Sequence, residues 1–213
     1  MNKLTIIVTY YNAEEYITGC LESIKQQRTQ DFNLIIVNDG STDQSKKLMD
    51  EAIKDYDKNI RFIDLDENSG HAHARNIALE EVETPYFMFL DADDELASYA
   101  ITFYLEKFND TDGLIAPIHS FTTQRPQFVD LDRVRVEYFN AKGNINSFLR
   151  KQSACNIIFR TAIVKAHHIR FNENLNTYVD WSFVLEYMKY VNKFVRIFNF
   201  PFYFRGEVYD PFE

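Results

Sequence analysis

The sequence predicts an α/β fold, a mainly parallel sheet flanked by helices, with a ligand crevice beyond the carboxyl ends of its strands. Three observations predict it. Strand and helix signals alternate through residues 1–120, the pattern of strands joined by helical crossovers. Three polar clusters, Thr9–Asn12, Asn38–Asp43 and Asp91–Asp94, each follow an apolar run, so they converge where such sheets bind ligands. The third cluster ends "YFMFLDADDEL" (86–96), and carboxylates crowded into a partly dry site need a cation or hydrogen-bond donors.

The elements follow in order. "LTIIVTYY" (4–11) is a β-branched strand. "AEEYITGCLESIKQQ" (13–27) places Tyr16, Ile17, Leu21 and Ile24 on one helical face, with Asn12 as N-cap. "FNLIIVNDG" (32–40) is a second strand with its turn, and "STDQSKKLMDEAIKDY" (41–56) opens on a Ser/Thr/Asp cap into an amphipathic helix. "IRFIDLD" (60–66) is a third strand, and "SGHAHARNIALEEV" (69–82) a helix entered through Gly70. The fourth strand, "YFMFLDADD", leads to a helix near 98–109 whose caps are Asp94 and Glu95, then to a short strand, "GLIAPI" (113–118). After residue 120 the alternation fades. "TTQRPQF" (122–128) is turn-like and 144–171 mixes helix and strand signals. "YVDWSFVLEYMKYV" (178–191) is a helix, and "KFVRIFNFPFYFRGEVY" (193–209) a long strand or hairpin interrupted by Pro201. The end, "GEVYDPFE", carries no closing element, so the chain reads as a module excised from a longer one.

Composition narrows the class. With 46% hydrophobic and 26% charged residues the chain is folded rather than disordered. No apolar run approaches the ~20 residues of a membrane span, and "MNKLTIIVTYYN" reads as a strand rather than a signal peptide. Cys20 and Cys155 lie far apart without metal-like spacing, which favours buried thiols in a reducing compartment, the cytoplasm. Residues 1–120 carry 10 Lys and Arg against 23 Asp and Glu, residues 121–213 carry 13 against 9, and the net charge is −9. No nucleic-acid partner is expected from this balance, and an acidic half that handles a nucleotide phosphate needs a metal. The basic half, with Arg125, Arg133, Arg135 and Lys142, either faces an anionic partner or is solvated surface.

Alternation along an extended strand end puts Asp91 and Asp93 on one side, where hard oxygen ligands suit Mn²⁺ or Mg²⁺ and the phosphates of a substrate. The plainer reading of "DADDEL" is a helix cap. His71 and His73 point apart on a helix and are not a metal pair.

"TIIVTYYNAEEYITGCLESIKQQ", "FNLIIVNDGSTDQS", "ENSGHAHARNIAL" and "YFMFLDADDEL" occur in the order and spacing of the family 2 glycosyltransferases. The chain resembles these inverting enzymes of the Rossmann-like GT-A fold, strongly over 1–120 and more weakly over 150–205. The resemblance implies hexosyl or N-acetylhexosaminyl transfer from a UDP-sugar to a cell-surface glycan or polyol-phosphate polymer of the teichoic-acid type. It makes 1–120 the nucleotide-sugar half and 121–213 the acceptor-side half of one domain. It also leaves open peripheral association with the inner face of the membrane and fusion to a further domain after residue 213.

Carried over position by position, the resemblance gives Thr9, Tyr11 and Asp39 the nucleoside, and Arg75 the donor's base and phosphates. Asp93, with Asp91, would hold the metal, and Asp91 would also reach the ribose. Asp180 would be the catalytic base in "NTYVDWSF", and Trp181 a sugar or acceptor contact, or else core. The chain departs from the family at Thr9, where Pro is common, at Asn38, usually Asp, and at Val179, usually Glu. Some relatives supply a metal-binding His after a segment like "FYFRGEVYDPFE", which has none. Two rivals are a sugar-nucleotide nucleotidyltransferase, whose Gly-rich basic loop "VTYYNAEE" lacks, and a catalytically inactive module that binds nucleotide-sugar or polymer.

Overall fold

The structure, a computed structural model, describes residues 2–56, 58–107, 110–120, 133–140, 153–198 and 202–205. β1 (Leu4–Tyr10), β2 (Phe32–Asn38), β3 (Ile60–Asp64) and β4 (Tyr86–Asp91) pair in parallel in the order β3-β2-β1-β4. The crossovers between them carry α1 (Ile17–Lys25), α2 (Ser45–Ile53) and α3 (His71–Glu80). Then follow β5 (Glu95–Leu96), α4 (Ala100–Lys107), β6 (Gly113–Ile115), β7 (Ile118–Ser120) and β8 (Arg135–Asn140). A 3₁₀ turn (Ala154–Asn156) leads into β9 (Ile157–Arg160), α5 (Thr161–Ala166), α6 (Val179–Met188), β10 (Lys193–Phe198) and β11 (Tyr203–Arg205). The main sheet runs β3-β2-β1-β4-β9-β6-β10-β8, and β5-β11-β7 form a second, small sheet. β9 is antiparallel to both β4 and β6, and β8 to β10, while β10 runs parallel to β6, so the run of consecutive parallel neighbours is β3-β2-β1-β4 and the rest of the main sheet is mixed.

The central strands are covered on both faces. Leu4, Ile6, Ile7 and Val8 of β1 and Phe87 to Leu90 of β4 are almost wholly buried, which is why their sequences are near-continuous apolar runs. A cluster of aromatic rings joins the two halves of the chain. Phe171 stacks on Phe183 at 4.1 Å between centroids, Phe89 meets Phe171 edge-on at 5.2 Å, and Phe159 meets Phe183 at 5.3 Å. Each buried Phe contributes roughly 1.5–3 kcal/mol of transfer free energy. This cluster therefore fixes α6 against β4.

Several local expectations change. Asn12 does not cap α1: its side chain accepts from Thr42 N (2.8 Å) while the N–H groups of Tyr16 and Ile17 turn back onto Ala13 O. Tyr16 precedes the helix and is 41% exposed, whereas Ile17, Leu21 and Ile24 are buried as expected. The N-cap of α2 is Gln44 rather than one of the Ser/Thr/Asp residues, and Asp43, one residue further out, accepts from Ser45 N at 2.9 Å. Asp94 and Glu95 cap no helix: Glu95 starts β5, and α4 begins only at Ala100. β10 and β11 lie in different sheets rather than in one hairpin, because β11 pairs with β5 and β7. The turn expected at 122–128, Pro201 and the final "GEVYDPFE" lie outside the described residues, as do Arg125 and Lys142. Among the described residues no helix is long and apolar enough to cross a membrane.

Candidate active site

The parallel registers set the site. Thr9 stands opposite Asp91, and Tyr10 opposite Asn38, so three strand ends finish side by side. Past β2 the chain turns at Gly40 (φ 66°), where an added Cβ would lie 2.4 Å from the Glu67 backbone; only glycine lets the two loops approach so closely. Asp39, 3% exposed, accepts from Ser69 N and Gly70 N at 2.9 Å each and so clamps the entry to α3. Asn38, where the family usually has Asp, donates to Asp64 Oδ1 (2.6 Å) and accepts from Ser41 N (3.0 Å). An amide performs both tasks beside an acidic neighbour, which a carboxylate could not. Thr9 is half-buried at the mouth, and Tyr11 is 45% exposed with its ring available to a ligand.

Clamping α3 aims Arg75 inward. Its side chain is only 5% exposed, lies over the Phe89 and Phe171 rings, and reaches two carboxylates at once. Nη2 meets Asp91 Oδ1 at 2.6 Å and Nη1 meets Asp180 Oδ1 at 2.5 Å. Burial disfavours the guanidinium charge, but Asp91 foremost, with Asp180, holds the arginine firmly protonated. Asp180 Oδ2 accepts from Ser153 Oγ (2.9 Å) and Ala154 N (3.0 Å). Burial alone would raise the Asp180 pKa; Arg75 and these two donors outweigh it and hold the carboxyl below its usual value. The second oxygen of Asp91 accepts from the Cys155 thiol at 3.0 Å. Burial, then Asp91, pushes that thiol well up, so it stays protonated and donates.

Asp93 sits differently. Its carboxylate lies in a group with Asp91 and Asp94 whose ligand oxygens fall within 4.8 Å of one another. Asp94 is buried and accepts from Tyr203 Oη at 2.6 Å, and the same Oη accepts from Asp91 N at 3.3 Å. Among the described residues no donor from another residue reaches Asp93, and burial followed by the Asp91 charge raises its pKa. Three carboxylates at this spacing, one of them without a donor, fit a hard divalent cation: Mn²⁺ and Mg²⁺ take carboxylate oxygens and complete the shell with water or phosphate.

The structure thus brings together Arg75, Asp91, Asp93 and Asp180, places Thr9 beside Asp91, and gives Asp39 a role in the loop that positions Arg75. Trp181 is half-buried at the start of α6, and Tyr178, before it, is 78% exposed in a left-handed conformation (φ 59°). His73 pairs with Glu173 at 3.1 Å. Sequence reasoning counted Asp94 in the acidic cluster but gave it to a helix cap rather than to the group that could hold a metal, and it missed Tyr203, Ser153 and Cys155. Both thiols are free and buried as expected, but Cys155 is a donor in the site rather than inert core.

Known proteins share this chain's sequence pattern and its fold. The sequence pattern described as "Glycosyl transferase family 2" matches residues 5–168. Over all 213 residues the chain is 99% identical to a teichoic acid poly(glycerol phosphate) polymerase of Staphylococcus epidermidis, of which it spans 30%. It is 28% identical over 204 residues to the poly(ribitol-phosphate) β-N-acetylglucosaminyltransferase TarS of Staphylococcus aureus, a match covering 87% of this chain and 32% of TarS. The crystal structure of S. aureus TarS 1–349 in complex with UDP superposes with a TM-score of 0.81 at 24% identity, over 96% of this chain and 60% of the other. That likeness shows the GT-A fold.

Proposed function

The chain belongs to glycosyl transferase family 2, and from that premise we propose that it is a metal-dependent, inverting transferase module. It would move a hexosyl or N-acetylhexosaminyl group from a UDP-sugar to a hydroxyl of a teichoic-acid-type polymer at the cytoplasmic face of the membrane. The chain spans about a third of the relative with which it is 99% identical, so the polymer and the neighbouring domains are inferred from that relative's name.

The observation that carries the reading is the contrast at one strand end: Asp91 is held by donors while Asp93, in the same group of carboxylates, is not. Asp93, with Asp91 beside it, would hold Mn²⁺ or Mg²⁺, which neutralises charge on a departing diphosphate. Thr9, Tyr11 and Asp39 line the nucleoside end, where a Tyr ring packs on a base and a carboxylate accepts from an imide N–H. Asp91 would reach the ribose as well. Asp180 would take the acceptor's hydroxyl proton. Its Oδ2 already accepts two donors, so the remaining lone pair of Oδ1 is the basic site, and the low pKa keeps it ionised at neutral pH. Trp181 would contact the sugar or the acceptor.

The test is calorimetric titration of UDP with Mn²⁺ and with EDTA, followed by a screen of UDP-sugars for turnover. Metal-dependent affinity and turnover of one UDP-sugar are expected. Equal affinity in both titrations would remove the metal from the reading.

A further inference from the structure

We infer that Ser153 is a positioning residue for Asp180, an inference that rests on the base assignment above. Asp180 is the second residue of α6, and a carboxylate there ordinarily turns toward the free N–H groups of its own helix. Here it turns away, across to Arg75 and to the chain before β9. Its neighbour Val179 is apolar and 4% exposed, so no second carboxylate or amide beside it steers the side chain. The steering comes from 27 residues upstream: Ser153 Oγ donates to Oδ2 at 2.9 Å and Ala154 N reinforces it at 3.0 Å.

The Ser153 hydroxyl is itself oriented. It accepts from Cys155 N at 3.3 Å, closing the 3₁₀ turn, so its proton is directed outward to the carboxylate. The same turn presents the Cys155 thiol to Asp91 Oδ2 at 3.0 Å. One short turn therefore touches both carboxylates that Arg75 joins, and it sets which oxygen of Asp180 stays open to an acceptor. Saturating Oδ2 leaves Oδ1 as the proton-accepting atom.

The experiment is a mutant cycle in the full-length protein, measuring turnover of a UDP-sugar with a polyol-phosphate polymer as acceptor. Ser153→Ala is expected to lower kcat on the order of tenfold through loss of alignment, with donor KM and Mn²⁺-dependent UDP affinity unchanged. Ser153→Thr, which keeps the hydroxyl, should restore kcat. Ser153→Ala added to Asp180→Asn should cost nothing further, because the two act through one carboxylate. A slow Asp180→Asn enzyme alongside an unimpaired Ser153→Ala enzyme would overturn this inference alone. The same loss from Ser153→Ala in both backgrounds would also overturn it, since the hydroxyl would then act elsewhere. An Asp180→Asn enzyme as fast as wild type would overturn the base assignment and this inference together. If Ser153→Ala lowers the melting temperature by many degrees, Ser153→Cys, close in shape with a weaker donor, takes its place in the cycle under the same criteria.

Discussion

Two ends of the same crevice treat their carboxylates in opposite ways. Around Arg75, all four oxygens of Asp91 and Asp180 have donors, drawn from α3, the turn before β9 and the thiol of Cys155. A few residues along the chain, Asp93 has none from another residue among those described. The tied end behaves as structure: its charges are paired in a buried setting and hold α3, β4 and α6 together. The open end behaves as a receptor: its charge is disfavoured by burial and by Asp91, and a cation arriving there relieves both. The contrast separates residues whose loss should unfold the site from residues whose loss should only empty it.

The largest effect should come from breaking the tied end. Arg75→Ala leaves two carboxylates without their shared cation, and removal of one partner from a buried ion pair costs about 3–5 kcal/mol. For a domain of this size that lowers Tm by about 10 °C, and transfer should vanish. Arg75→Lys should recover little, because a point-like ammonium cannot serve Asp91 and Asp180 in the fork geometry of a guanidinium. Thermal unfolding of the two variants decides it; a shift below about 2 °C in Arg75→Ala would mean that the pair contributes little to the fold. The open end should answer differently. Asp93→Asn is expected to abolish the metal dependence of UDP affinity while leaving Tm unchanged or slightly higher. A large fall in Tm would erase the distinction between the two ends.

Much of the tied end was invisible in the sequence, for a physical reason. The parallel half was legible because its signals are local: an apolar run, a polar cluster, a Gly-initiated helix. These placed Thr9, Asp39, Asp91 and Asp93 near one another, and the family resemblance added Arg75 to them. The partners of those residues are not local. Arg75 and Asp180 are separated by 105 residues, Asp91 and Cys155 by 64, and Asp94 and Tyr203 by 109. A lone Ser, Cys or Tyr carries no periodic signal that would announce such a contact. Asp94 shows the converse error. Its position before a helix suggested a cap, but β11 pairs with β5 and brings the Tyr203 hydroxyl onto it, so tertiary pairing overrode local propensity. Likewise 193–209 read as one strand or hairpin because alternation shows that a segment is extended, not which sheet it joins.

A middle-sized effect sharpens the comparison within the tied end. Asp180→Asn should keep metal-dependent UDP affinity and lower transfer by about 10², the scale of a general base. It should also cost less Tm than Arg75→Ala, because Arg75 retains Asp91. If Asp180→Asn and Arg75→Ala destabilise equally, Asp180 is the main structural partner of the arginine. Transfer at the wild-type rate would leave Asp180 with that structural role only.

The smallest effect, and the one that sets the two ends directly against each other, is the pH dependence of stability without metal. Asp180 has a lowered pKa in the folded chain. Its contribution is therefore present above the unfolded value of about 3.9 and is lost as pH falls through the lower folded value. Asp93 has a raised pKa. Its ionised form is disfavoured in the fold, so its cost is absent below about 3.9, grows as pH rises toward the raised value and is constant above it. Melting curves in EDTA from about pH 3 to pH 7 should then diverge with opposite signs. Asp180→Asn should lie below wild type at pH 7 and approach it at the acid end. Asp93→Asn should match wild type at the acid end and lie at or above it near neutrality. Curves that diverge in the same direction would mean that both carboxylates are stabilised by their surroundings, and Asp93 would no longer be the open position of the site.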